Sequence, residues 1–336
     1  MDNINIKKLA KELKISTSTI SRAFNGSPDI NKDTKEKILA FAKQHNFLPN
    51  HYASNLRDKK SRTLAVIVPE IANDFFAQAI NGIEEVARKN GHVVVLTSSG
   101  GDELLEREEL ETLVRRQVDG LIIAPADGRT STVDSFISAN IPVVSFDRPI
   151  SNSNIDSITV TNRDSVREAT EHLLSHGYRR ILAIGARPHL YTGSERVAGY
   201  VSTMKRAHLK KETYLVENES DLDPEVIQKL LKKGPGKLDA ILTLNGITTM
   251  LVLRVLRQLG KRVGSDIALI SFDDFELAEI LTPSLTVVRQ PAAELGRRAA
   301  ELLFTRMQSK KPFPRQEIVL STTFHIRESC GCTQNI

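Results

Sequence analysis

The sequence predicts an α/β protein. A small all-helical unit comes first, followed by a large body of parallel sheets covered by helices. Three observations carry this. The first 60 residues hold short amphipathic helical patterns and no strand pattern. From Thr63 onward, short apolar runs alternate with amphipathic stretches, and strands buried on both faces read as continuous apolar runs linked by helical crossovers. The same strand–helix rhythm stands before and after about Val160, which predicts two similar lobes.

Composition bounds the function. The chain has 336 residues, 40% of them hydrophobic, and a net charge of +5. The first 60 residues hold 12 Lys and Arg against 6 Asp and Glu, and the remainder 34 against 35. The positive excess therefore sits in the N-terminal unit, as expected of a module that approaches phosphates. The two cysteines, Cys330 and Cys332, exclude a disulfide framework and fit a reducing compartment. Two thiols alone make a poor metal site. The segment reads as a frayed tail, so no metal and no cofactor is expected. No signal-peptide run and no stretch of about 20 apolar residues is present, which predicts a cytoplasmic protein without membrane contact.

The N-terminal elements follow from their spacing. Leu9, Ala10 and Leu13 give a first helix, from about Asn5 to Leu13, one apolar face. Lys14-Ile15-Ser16 makes a turn, and a hydroxyl of Ser16 or Thr17 caps a second helix reaching about Asn25. Ile20 and Phe24 point inward; Thr17, Ser18, Ser21 and Arg22 point outward. This spacing fits a helix-turn-helix, whose second helix enters the DNA major groove. Hydroxyls can serve phosphates or base edges, and Arg22 can grip guanine bidentately; the competing reading is a solvated helix face. A third helix, capped by Asn31, runs from about Lys32 to His45, with Ile38, Leu39, Phe41 and Ala42 closing a core. Phe47-Leu48-Pro49-Asn50 is an extended stop before His51–Arg57.

The runs Ile15-Ser16, Thr19–Asn25, Phe47–Asn50 and Ala53 to Leu56-Arg57 resemble the lactose/galactose-repressor (LacI/GalR) family of bacterial transcription regulators. The resemblance implies DNA contacts by Asn5, Ser16, Thr17, Ser18, Thr19, Ser21, Arg22, Asn25, Asn50, Ala53 and Leu56. It also implies that residues 50–62 form a hinge helix, paired in a dimer in the minor groove, with Leu56 wedged into a base step. Many members have glycine where this chain has Lys14.

In the body, strands are expected at Leu64–Val68, Val93–Leu96, Gly120–Ala124, Val143–Phe146, Ser157–Val160, Ile181–Ile184, Ala240–Leu244, Ile267–Ser271 and Thr286–Val288, with a last one beginning at Ser321. Helices are expected at Phe75–Asn90, Leu104–Gln117, Asp164–His176, Glu195–Ala207, Thr248–Leu259 and Ala292–Gln308. By the same resemblance, a headpiece (1–49, its helix-turn-helix about 6–25) and hinge precede a periplasmic-binding-protein-like body of doubly wound parallel sheets (63–330). Its lobes are then about 63–160 with 289–320, and about 161–288 with 321–330.

Ligands of open α/β sheets sit beyond the carboxyl ends of strands. Motifs at such ends resemble the family's effector site, implying contacts by Arg196 and Asp273, then Asp147, Phe75, Phe76, Thr192 and Asn245. Arg196 and Asp273 read alone would be a structural ion pair, and the two phenylalanines would be core. Asn245-Gly246 departs from the Asn-Asp of many sugar-responsive members. A sugar fits, and so does a sugar phosphate, since hydroxyls and a helix start stand near Arg196.

No P-loop, metal spacing or nucleophile elbow is present, so no enzyme is expected. The sequence reads as a homodimeric repressor of carbohydrate-metabolism genes, released from a near-palindromic operator in double-stranded DNA by a sugar or sugar phosphate. The alternatives are a regulator using a purine or a phosphorylated protein as co-repressor, and a sugar-binding protein without DNA function.

Overall fold

The computed structural model describes residues 6–24, 27, 29–45, 47, 61–128, 133–151, 153–232, 238–309 and 314–332. Asn5, Asn25, Asn50, Ala53 and Leu56 lie outside the described residues. The chain divides into two compact units, Met1–Ser61 and Arg62–Ile336.

The first unit holds helices α1 (Ile6–Glu12), α2 (Thr17–Phe24) and α3 (Lys32–Gln44). Helix α1 ends in a left-handed residue, Lys14, at φ +53°. The Ile15 N–H bonds the Ala10 carbonyl and the Lys14 N–H bonds the Lys11 carbonyl, which is the Schellman closure usually given to glycine. The Ser16 hydroxyl accepts from the Thr19 N–H at 3.1 Å and so caps α2, while Asn31 caps α3 through the Asp33 N–H at 2.8 Å. Leu9, Ala10, Ile20, Ala23, Ile38 and Ala42 are buried. Two inward assignments need correction. Phe24 is only half-buried, because Ala23 lies three residues after Ile20 on the inner face, and Phe24 instead meets Phe47 at 5.9 Å. Leu39 is exposed, since Ile38 and Ala42 occupy the inner stripe of α3.

The second unit contains two six-stranded sheets. The first has β1 (Thr63–Val68), β2 (Val93–Ser98), β3 (Gly120–Ile123), β4 (Val143–Phe146), β5 (Asp156–Val160) and β11 (Glu317–Leu320), ordered β11-β5-β4-β3-β1-β2 and all parallel. The second has β6 (Ile181–Ala186), β7 (Glu212–Val216), β8 (Ala240–Thr243), β9 (Ala268–Phe272), β10 (Thr286–Arg289) and β12 (Thr323–His325), ordered β12-β10-β9-β8-β6-β7. The orders match strand for strand, so β4 corresponds to β9. Only β12 breaks the parallel arrangement, running antiparallel to β10.

The helices are α4 (Asp74–Lys89), α5 (Glu103–Arg115), α6 (Asp134–Ser138), α7 (Asn162–Ser175), α8 (Tyr191–Arg206), α9 (Pro224–Lys232), α10 (Gly246–Gln258) and α11 (Ala292–Gln308). Apolar clusters flank both sheets. Helices α4 and α11 cross closely because Gly82 and Gly296 have no side chain. A Cβ on either would collide with a backbone carbonyl of the other helix, that of Ala293 or Ala79.

The chain passes between sheets at Thr161, at Gln290-Pro291 and at Ser321-Thr322. Two of these passages are stitched together: Thr322 and Ser165 hydroxyls meet at 2.6 Å, and the Thr322 N–H donates to the Thr161 hydroxyl at 3.3 Å. The strand expected from Ser321 is β12, and β11, just before it and in the other sheet, is additional. The expected frayed tail is also corrected. Glu328–Cys330 forms a 3₁₀ turn, and Cys330 is fully buried against the second lobe.

Candidate functional site

A cavity of about 530 Å³ lies at the carboxyl ends of strands from both sheets of the second unit. Phe75, Phe76, Asp147, Thr192, Arg196, Asn245 and Asp273 all line it. The two aspartates hold corresponding places, one after β4 and one after β9, each following a Ser-Phe pair. Both have left-handed backbone, φ +66° at Asp147 and +80° at Asp273. This conformation turns the chain sharply off the strand end, and aspartate tolerates it better than most residues.

Arg196, on α8, is 6% exposed. Its Nε donates to Asn162 Oδ1 at 2.8 Å, and its Nη1 donates to the Leu244 carbonyl at 2.8 Å. The guanidinium lies 3.7 Å from the Phe272 ring centroid, a cation–π contact. Burial lowers its pKa, and the nearby Asp273 and Asp147 charges oppose that shift. It remains a cation. No ion pair joins Arg196 to Asp273. Asp273 instead accepts from the Gly246 N–H at 3.1 Å and from Gln290 Nε2 at 2.5 Å. Nη2 of Arg196 makes no hydrogen bond within the described chain, so it can serve a ligand.

The other cations of the lining are already paired. Arg148 meets Asp147 at 3.1 Å, and Arg187 meets Glu219 at 2.9 Å. Phe76 belongs to the first-lobe core and packs edge-on against Phe146, while half-buried Phe75 forms wall. Asn245 caps α10 by accepting from the Thr248 N–H at 2.8 Å, which leaves its amide N–H₂ for a ligand. Thr192 sits in the first turn of α8, which has no side-chain cap. Sequence reasoning missed Gln290 and Asn162. Gln290 lies at the interlobe passage with Oε1 buried and unpartnered, and Asn162 orients Arg196. Each is one residue beyond a strand end or passage, which is the signal that marks such positions.

In the first unit, Ser16, Thr17, Ser18 and Arg22 are exposed, and Thr19 and Ser21 are half-buried. The Ser16 hydroxyl is engaged by Thr19 and by the Ser18 hydroxyl at 2.7 Å. Thr17, Ser18 and Arg22 thus form the outward polar face of the second helix of a helix-turn-helix.

A helix-turn-helix unit followed by a two-lobed α/β body with a polar interlobe cavity defines a class, the ligand-responsive DNA-binding regulators. Residues 5–50 match the model of bacterial regulatory proteins of the lacI family, and residues 170–330 match the periplasmic binding protein-like domain. The ribose operon repressor of Haemophilus influenzae is 29% identical over 96% of this chain and 98% of its own. A solved structure from Burkholderia thailandensis, assigned as a ribose operon repressor, is 30% identical, with a TM-score of 0.71, over 79% of this chain and 99% of that one. A LacI family transcriptional regulator from Enterococcus faecium, solved with bound ribose, is 26% identical, with a TM-score of 0.72, over 80% and 98%. The chain belongs to the lacI family of bacterial regulatory proteins, and it is a DNA-binding transcriptional regulator. No described helix is long and apolar enough to cross a membrane.

Proposed function

We propose that this regulator is a homodimeric repressor of carbohydrate-metabolism genes that leaves a near-palindromic operator when a sugar occupies the interlobe cavity. The observation that carries this reading is the unpaired state of Arg196 and Asp273 toward each other. A buried arginine offers donors and a carboxylate offers acceptors to one cavity. Vicinal hydroxyls, which both donate and accept, suit that combination. The lining holds Glu70, Asp147, Glu219 and Asp273 against Arg148, Arg187 and Arg196. With two of the three arginines paired, a neutral sugar is favoured over a sugar phosphate. The ribose bound by the Enterococcus faecium relative is of that class. Phe75 supplies an apolar wall for a ring face.

On this reading Thr17, Ser18 and Arg22 address the operator, with Leu56 acting as the minor-groove wedge. Leu104 and Leu105 in the first lobe and Leu277 and Ile280 in the second are exposed apolar side chains, such as a partner copy would cover. The body binds rather than turns over its ligand. Sugar binding favours a closed arrangement of the lobes that is incompatible with paired hinges, and it shifts the population only as far as it prefers that state.

The test is fluorescence anisotropy on promoter DNA from the gene's own neighbourhood, at two salt concentrations, against neutral sugars and sugar phosphates. Salt-dependent, sequence-specific binding released by a neutral sugar is expected. Specific binding strengthened by a small molecule, or unchanged by every sugar, would move the reading to a co-repressor regulator.

A further inference from the structure

The buried tail brings together four side chains that sequence keeps 154 or more residues apart in two pairs. His172 in the last turn of α7 and His176 at its C-cap lie four residues apart, hence on one side of the helix end. Their rings are 4.5 Å apart. Cys330 and Cys332 flank Gly331, which has φ +86°. A Cβ at Gly331 would strike the Tyr178 hydroxyl, and that hydroxyl also donates to the Cys330 carbonyl at 3.1 Å. The tail is thus folded by a turn that requires glycine, and the turn brings both sulfurs together at 3.0 Å.

The histidines meet these sulfurs. His176 Nε2 stands 2.9 Å from Cys332 Sγ, and His172 Nε2 stands 3.6 Å from it. One ligand atom each from His172, Cys330 and Cys332 lies within 4.8 Å of the others. The His176 ring is oriented from behind, its Nδ1 lying 2.9 Å from the His172 carbonyl. With Nδ1 as the donor there, Nε2 presents its lone pair to the cluster, which is the outer-shell arrangement of metal-binding histidines. Zinc bonds of about 2.3 Å to sulfur and 2.0–2.1 Å to nitrogen define a tetrahedron with edges of about 3.3–3.8 Å. The two sulfurs at 3.0 Å and the His176–Cys332 pair at 2.9 Å need to open by less than about 1 Å to meet it, and the His172–Cys332 pair at 3.6 Å already lies in that range. His176 stands outside the three-donor group and completes the set by a rotation of its exposed side chain. No carboxylate enters the ligand set, and tetrahedral S₂N₂ sites select zinc among common divalent ions.

We propose that His172, His176, Cys330 and Cys332 form a tetrahedral zinc site that clamps the C-terminal tail to α7. It lies outside the interlobe cavity and is independent of the effector reading.

The test uses the full-length chain, expressed without a histidine tag and purified under reducing conditions. Elemental analysis after zinc(II) loading and gel filtration is expected to give about one equivalent per chain. Cobalt(II) in its place is expected to give thiolate charge-transfer and intense tetrahedral d–d bands. His176→Gln and Cys332→Ser replace residues that are not fully buried. Each is expected to lose the retained equivalent and the cobalt spectrum while keeping a wild-type circular dichroism spectrum. Trace zinc only, a weak octahedral cobalt spectrum, or full retention by both variants would overturn the site. So would recovery of Cys330 and Cys332 as a disulfide that zinc and reductant do not replace.

Discussion

Replacing Arg196 with alanine separates effector recognition from DNA binding. The wild-type guanidinium is held by Asn162 and the Leu244 carbonyl and stacked on Phe272, with Nη2 left toward the cavity. Two hydrogen bonds from a charged donor to sugar hydroxyls, at about 1.5 kcal/mol each, amount to about 3 kcal/mol. That is about a 150-fold rise in the sugar concentration giving half-release. The variant also leaves Asn162 Oδ1 and the Leu244 carbonyl without their donor, at about 1–3 kcal/mol each. Removing a buried charge offsets part of that cost, so the fold is expected to survive with a modestly lower Tm. The assay is operator anisotropy titrated with the releasing sugar, with thermal melting as a control. Unchanged half-release in a folded variant would refute the assignment of Arg196 to the effector. Loss of operator affinity without sugar would show that it acts structurally.

Other perturbations follow from named contacts. Arg22→Ala is expected to cost about 1–3 kcal/mol on operator DNA and far less on random DNA, as measured by competition binding; equal losses would remove Arg22 from base reading. Gly296→Ala pushes a Cβ into the Ala79 carbonyl and is expected to destabilise the body by about 1–3 kcal/mol, read as a lower urea midpoint at unchanged m. Asp274 is raised by burial but lowered more by hydrogen bonds and charge from Arg327 and Arg289, so its pKa falls below the ordinary value. A depressed folded pKa gives stability above the unfolded value of about 3.9 that is lost as pH falls through the folded one. Asp274→Asn is therefore expected to lower stability at neutral pH and flatten the acid limb of the stability curve; parallel curves for the two proteins would contradict this.

Much of the fold is legible because central strands are buried on both faces. The runs that became β1, β3, β4, β6, β8 and β9 are continuous apolar segments, and α2 and α3 carry their own caps. What escaped sequence reasoning lies at edges. β7 begins with Glu212 after two lysines, and β11 alternates exposed and half-buried residues along Glu317–Leu320. A short edge strand looks like a polar loop until its neighbour is known. α6 and α9 are too brief to show a firm period. The cavity residues stand at strand ends where motifs mark them, whereas Gln290 becomes visible only once the two lobes are joined. The histidine–cysteine cluster was illegible for the same reason, because no local pattern relates α7 to a tail more than 150 residues away.

If the proposed mechanism holds, the interlobe cavity and the DNA-binding unit share one energetic coupling. Calorimetric titration of the releasing sugar into the free protein and into the operator complex tests it directly. Linkage requires the operator to weaken sugar binding by the same factor by which the sugar weakens operator binding, about 5–150-fold for a coupling of about 1–3 kcal/mol. Matching factors are predicted. Equal sugar affinity in the free and operator-bound protein would contradict that coupling.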